Sequence, residues 1–162
     1  MTTARQRAYL HAMGIPVWLA RARGADAQPA ASTGRVQLGP GQGPVLLLCG
    51  AIHEPACLLA SDVARALACG PVWAWPAAPG EGLELPMAAS EGLFTHAIIF
   101  GSETEIALFG GPAPDMLGPA LVLRAPALDT LASSAGARRG LWRILADNRL
   151  AKASVMADGK TA

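Results

Sequence analysis

Pro44–Cys49 reads PVLLLC, a run with no polar residue in it, framed by the glycine-rich Gly39–Gly43 on one side and Gly50 on the other. Alternation between apolar and polar residues marks a strand wetted on one face, whereas a short continuous apolar run between turn residues marks a strand buried on both. A strand of that kind belongs at the centre of a sheet with helices on its two faces, and the rest of the chain is read outward from it.

Downstream, Pro55 suits the first turn of a helix, and Ala56–Cys69 carries Leu58, Leu59, Val63 and Leu67 near helical spacing before Gly70. Val72–Trp75 is expected to be a second main strand closed by Pro76, with an exposed connection over residues 77–82 and a short helix within Leu83–Leu93. Thr95–Phe100, THAIIF, reads as a third buried strand, and Glu105–Phe109 is expected to pair antiparallel to it. Leu121–Arg124 is a further strand. After it, Pro126 and Asp129 open a helix, and Ser133 or Ser134 caps a last one in which Leu141, Ile144 and Leu145 face inward. Upstream, Arg35–Leu38 reads as a short edge strand. Strands alternating with helices predict an α/β fold, a three-layer α/β/α sandwich with a mostly parallel central sheet.

The segment before this domain has a different character. Residues 22–34, ARGADAQPAASTG, contain no large apolar side chain and are expected to be a flexible linker; thirteen such residues span about 20 Å as a coil. Ahead of it stands YLHAMGIPVWLAR at Tyr9–Arg21, where a helix is expected to stop at Gly14 and Pro16 sends Ile15–Leu19 on as an extended peptide. An aromatic, apolar peptide on a polar linker suits docking to a partner, although terminal apolar helices more commonly pack on their own domain. The expected organisation is therefore a docking peptide at 1–21, a linker at 22–34, an α/β domain at 35–150 and a frayed tail at 151–162.

Composition bounds the function. Of 162 residues, 52% are hydrophobic and 15% charged, enough for one globular core. A net charge of +1 provides no basic field for direct nucleic-acid binding. The absence of a long apolar run predicts neither an export signal nor a membrane span, hence a cytoplasmic protein, in which Cys49, Cys57 and Cys69 are expected as free thiols.

Catalytic and metal signatures are weak. GPGQGP at Gly39–Pro44 precedes a strand instead of following one and lacks the lysine of a phosphate loop. Cys49, His53 and Cys57 are spaced by four, as ligands on a helix would be, but the strand ending at Cys49 breaks that face and no fourth ligand is near. Cys57 with His96 would need an orienting third group. Ser61 and Asp62 read as helix surface. Trp73 and Trp75 share one face of a strand, as core or as a partner-facing patch, and Trp142 reads as core. Gly50, Pro76, Gly101 and Ala125 follow the proposed strands, so few polar groups are expected to converge there. No catalytic residue, cofactor or metal ion is assigned.

Several stretches in order, LHAMGIPVW at Leu10–Trp18, SDVARAL at Ser61–Leu67, GSETEIALFGG at Gly101–Gly111 and APALDTLASSAGARRGLWRIL at Ala125–Leu145, resemble the psi subunit of bacterial DNA polymerase III holoenzyme. The resemblance implies a non-catalytic accessory subunit. In that family the N-terminal peptide docks on the gamma/tau subunits of the clamp loader, and the domain binds the chi subunit, which holds single-stranded-DNA-binding protein. It further implies that Leu10, Met13, Gly14, Ile15 and Trp18 are the docking residues and Arg21 their basic tail. The long glycine-rich approach to the first main strand and the 151–162 tail depart from the better-known members. The rivals are a small α/β hydrolase or a nucleotide- or base-binding enzyme, and a stand-alone binding module.

Overall fold

The computed structural model describes residues 34–151. The docking residues expected from the sequence, Leu10, Met13, Gly14, Ile15, Trp18 and Arg21, lie outside that range, as do most of the linker and the tail.

Among the described residues seven strands form one mixed sheet: β1 Arg35–Leu38, β2 Val45–Leu48, β3 Val72–Pro76, β4 Leu83–Glu84, β5 His96–Phe100, β6 Met116–Leu117 and β7 Ala120–Ala125. Their order is β4-β1-β3-β2-β5-β7-β6, so the PVLLLC strand does stand in the middle. The four central strands, β3-β2-β5-β7, run parallel. Both flanks are antiparallel, β4 on β1 and β1 on β3 at one side, β6 on β7 at the other. The mostly parallel sheet expected from the sequence is thus confined to the centre. Nor is β1 an edge strand, because the two residues of β4 cover it. Those two residues form so short a pairing that no apolar run announces it.

Among the described residues there are five α-helices: α1 Leu58–Ala66, α2 Leu85–Glu91, α3 Ser102–Phe109, α4 Leu128–Ser133 and α5 Ala135–Asp147. The two-residue period of a strand sends alternate side chains to opposite faces. In β2, Leu46 and Leu48 enter a core with Leu85, Ala88 and Ala89 of α2 and with Leu108 and Phe109 of α3. Val45 and Leu47 enter the other core, with Ala60 and Val63 of α1, Leu128 and Leu131 of α4, and Leu141 and Leu145 of α5. All four β2 side chains are fully buried. Helices therefore cover both faces, and the short apolar runs of β2 and β5 are the physical consequence.

Three local expectations are corrected. Glu105–Phe109 is not a strand but the body of α3. Gly101, at φ 82, breaks the chain away from β5. Thr104 and Leu108, four residues apart, then turn inward together, and Gly110 ends the helix in the left-handed region, its amide bonded to the Ile106 carbonyl. Second, the helix expected over residues 56–69 is divided. A 3-10 turn at Glu54–Ala56 carries Pro55, Cys57 is extended, and α1 begins afresh at Leu58. That restart points Leu58 outward, 86% exposed, while Leu67 stays buried beyond the helix end. Third, of the two serines, Ser134 caps α5 by accepting from the Ala137 amide, whereas Ser133 donates to the Asp129 carbonyl. Leu141 and Leu145 of the expected inner stripe are buried, and Ile144 is half-buried.

The GPGQGP loop has a packing role. Gly43 passes so close to the Gly70 carbonyl that a β-carbon would collide with it, at the amino end of β2 and far from the carboxyl ends of the parallel strands.

Candidate functional site at the carboxyl ends of the strands

In an open parallel sheet, a crevice forms where neighbouring strands send their helices to opposite faces. Here β2 connects to β3 through α1 on one face, while β5 connects to β7 through α3 on the other. The loops beyond β2 and β5 part between them and leave a cleft of about 620 Å³.

Three segments build its walls. From β2 come Gly50, Ala51, His53 and Glu54, then Cys57; from β5 come Gly101 and the first turn of α3; from β7 come Ala127, Leu128 and Asp129. Phe100 lies at its base, stacked on Trp73 with ring centroids 5.8 Å apart. Trp73 is buried and Trp75 half-buried, both on the α1 side of the sheet, which makes the first core and leaves the second partly open.

Each polar group of the cleft has a definable state. Glu54 accepts from the Gly50 amide at 3.3 Å and so ties the loop back to the end of β2. The Cys57 thiol caps α1, accepting from the Ala60 amide at 3.3 Å. Cys49, just below, donates its thiol to the Ala74 and Ala51 carbonyls. Burial, helped by the nearby Glu54 charge, pushes the Cys49 thiol up to about 12, so it is a buried hydrophobe with a weak donor and not a nucleophile. Thr104 is 5% exposed and lines the cleft, and among the described residues no buried side-chain nitrogen or oxygen is left without a hydrogen-bond partner. The carboxylates of Glu54, Glu103 and Asp129 take no part in the ion pairs described, which join Arg65 to Asp62 and Arg124 to Glu105 and Asp115.

The constellations considered from the sequence come apart. Cys49, His53 and Cys57 do not share a helix face, and among the described residues no three His, Cys, Asp or Glu side chains group as metal ligands. His96 opens β5 at the opposite end of the sheet from Cys57, its Nδ1 3.0 Å from Thr95 Oγ1, with burial holding its pKa below the usual imidazole value. What sequence reasoning missed is the convergence itself. Gly50 and Gly101 stand past β2 and β5 as expected, whereas Ala125 is the last residue of β7 and Pro76 the last of β3, and the polar groups arrive a few residues later, on the first turns of Glu54–Ala56, α3 and α4. Glycine at a strand end followed within four residues by Glu, Ser, Thr or Asp was the available signal.

A second, smaller hollow of about 160 Å³ lies between α1 and α5, lined by Leu59, Val63, Leu141 and Trp142 among others. Trp142 is half-buried there instead of lying within the core.

Fold and cleft define an α/β protein with a mixed seven-stranded sheet and a crevice at its switch point. Set against models of known protein families, curated proteins and solved structures, the chain finds no match. Among the described residues no helix is long and apolar enough to cross a membrane.

Proposed function

We propose that this chain is a non-catalytic accessory subunit of the psi type, built on a three-layer α/β/α sandwich in the cytoplasm. It links the gamma/tau subunits of the DNA polymerase III clamp loader to a chi subunit and, through chi, to single-stranded-DNA-binding protein. The observation that carries this reading is the order of the chain. LHAMGIPVW at Leu10–Trp18 precedes a stretch without large apolar residues, which is followed by an α/β unit with a core on each face of its sheet. The state of the cysteines is in keeping with it: the Cys49 thiol is bonded to carbonyls and the Cys57 thiol to a helix amide, so neither is paired with a base.

The test is purified gamma/tau binding to the full chain and to its Trp18→Ala variant. Loss of a tryptophan anchor should weaken binding by roughly 2–4 kcal/mol and leave the melting temperature almost unchanged. Were Trp18 instead part of the domain core, truncation would cost about 3–5 kcal/mol of folding stability with binding intact, and the docking assignment would fail.

The cleft favours one second reading, a small α/β hydrolase or nucleotide- or base-binding enzyme, because such crevices are where open α/β sheets bind ligands. Retained gamma/tau binding in a full-length His53→Ala, Glu54→Gln variant would weigh against that reading's being the protein's main role.

A further inference from the structure

Gly34, where the described residues begin, is held between two helices of one layer. Its amide donates to the Leu108 carbonyl of α3 at 2.5 Å, and its carbonyl accepts from the Leu85 amide at the start of α2 at 3.3 Å. A β-carbon on Gly34 would stand 3.0 Å from the Leu108 carbonyl oxygen, so the chain passes hard against the helix. The residues before Gly34 therefore enter from the α2–α3 layer. Each of these helices carries an exposed apolar side chain, Met87 on α2 at 44% exposure and Ile106 on α3 at 60%.

Charge points to the same layer. Residues 1–25 contain Arg5, Arg7, Arg21 and Arg23 and no acidic residue, while α2 and α3 contain Glu91, Glu103 and Glu105 and no lysine or arginine. The rival apolar surface is the hollow between α1 and α5, which lies on the opposite face of the sheet and is bordered by Arg138. Two further arginines, Arg139 and Arg143, stand on α5, so like charge disfavours a basic peptide there.

From this geometry we infer that the N-terminal peptide, Tyr9–Arg21, has a docking surface on its own domain, over the α2–α3 layer beside Met87 and Ile106. Trp18 stands sixteen residues before Gly34. A coil of that length averages about 22 Å end to end, against about 12 Å for the whole of α3. Tethering gives the peptide an effective concentration on the order of millimolar, so a shallow surface contact is populated without belonging to the core. Only the consequence of this contact rests on the psi-type reading: a peptide laid on its own domain is withheld from gamma/tau, whose apparent affinity falls with the fraction of chains in which the peptide is free.

Nuclear Overhauser spectra of the full chain, with the Trp18 ring as the probe, provide the test. Contacts are expected from that ring to the methyls of Ile106 and Met87. Ile106→Arg, or Met87→Arg should the first fail to fold, should abolish them, and the same variant should bind purified gamma/tau about two- to fivefold more tightly than the parent. The inference is overturned if the Trp18 ring meets neither methyl, if it meets Leu59 or Trp142 of the α1–α5 hollow instead, or if its contacts persist in the arginine variant. It is overturned equally if the contacts vanish on dilution, as contacts between two copies would, or if gamma/tau binds parent and variant alike. Overhauser contacts as expected with gamma/tau binding neither chain would sink the accessory role and leave the docking surface standing.

Discussion

Glu103 and Glu105 stand two residues apart in the first turn of α3, and the fold treats them in opposite ways. Glu105 is drawn down against the segment after the helix, where its carboxylate accepts from the Ala113 amide and from Arg124 Nε at 2.9 Å. Arg124 then donates to the Ala113 carbonyl and reaches Asp115 at 3.4 Å. One carboxylate and one guanidinium thus fasten the loop between α3 and β6 to β7. Glu103, on the other side of the helix, opens onto the cleft beside Glu54 and Asp129 with no cation to meet it. The lesson is that acidic residues near a helix N-terminus, each favourable to the dipole, serve different ends according to what the sheet brings alongside them. Glu105 holds the fold, and Glu103 contributes to a charged crevice.

The contrast is broken most severely at its structural end. Glu105→Ala removes the acceptor of a partly buried amide and strands Arg124, and should cost about 2 kcal/mol; a drop of several degrees in melting temperature checks it. An unchanged melting temperature would mean that Glu105 is no more structural than Glu103.

Acid should dissolve the same difference. The Ala113 amide, aided by Arg124, holds the Glu105 carboxyl below the usual carboxylate range. A carboxyl depressed by folding contributes stability that is fully present above its unfolded value and is lost as pH falls through the folded one. Melting temperature should therefore fall toward low pH less steeply in Glu105→Gln than in the parent chain. Equal slopes would remove the assigned role.

At the cleft, smaller effects are expected. Thr104→Val exchanges the cleft-facing hydroxyl for a methyl of the same shape, and denaturant unfolding should show a stability within about 1 kcal/mol of the parent's. A loss above that size would reveal a hydrogen bond the structure does not contain. Smallest of all, Glu103→Gln should change stability by less than about 0.5 kcal/mol, as an exposed group without a partner does. A cost as large as that of Glu105→Ala would abolish the distinction between the two residues.

Much of the fold could be read from residues 44–125 because apolar runs are local. VLLL at 45–48, VWAW at 72–75, AIIF at 97–100 and LVLR at 121–124 each name a strand without reference to anything distant. The misread element, residues 105–109, failed for a physical reason: Glu, Ile, Ala, Leu and Phe satisfy a strand's alternation and a helix's periodicity almost equally well. Tertiary contact decided between them, since Thr104 and Leu108 bury together on one helix face and Glu105 finds Arg124.

By itself, then, the sequence determined the class of fold, the strand at its centre and the turns that punctuate it, since hydrophobic periodicity and glycine chemistry act over a few residues. Strand order, the short antiparallel flanks and the opposed crossovers of α1 and α3 were decided only by the assembled sheet. The cleft belongs to that second group. Glu54, Ser102, Thr104 and Asp129 come from three separate segments, the 3-10 turn after β2 and the first turns of α3 and α4, and nothing local reveals that β2, β5 and β7 stand side by side and carry those segments to one edge.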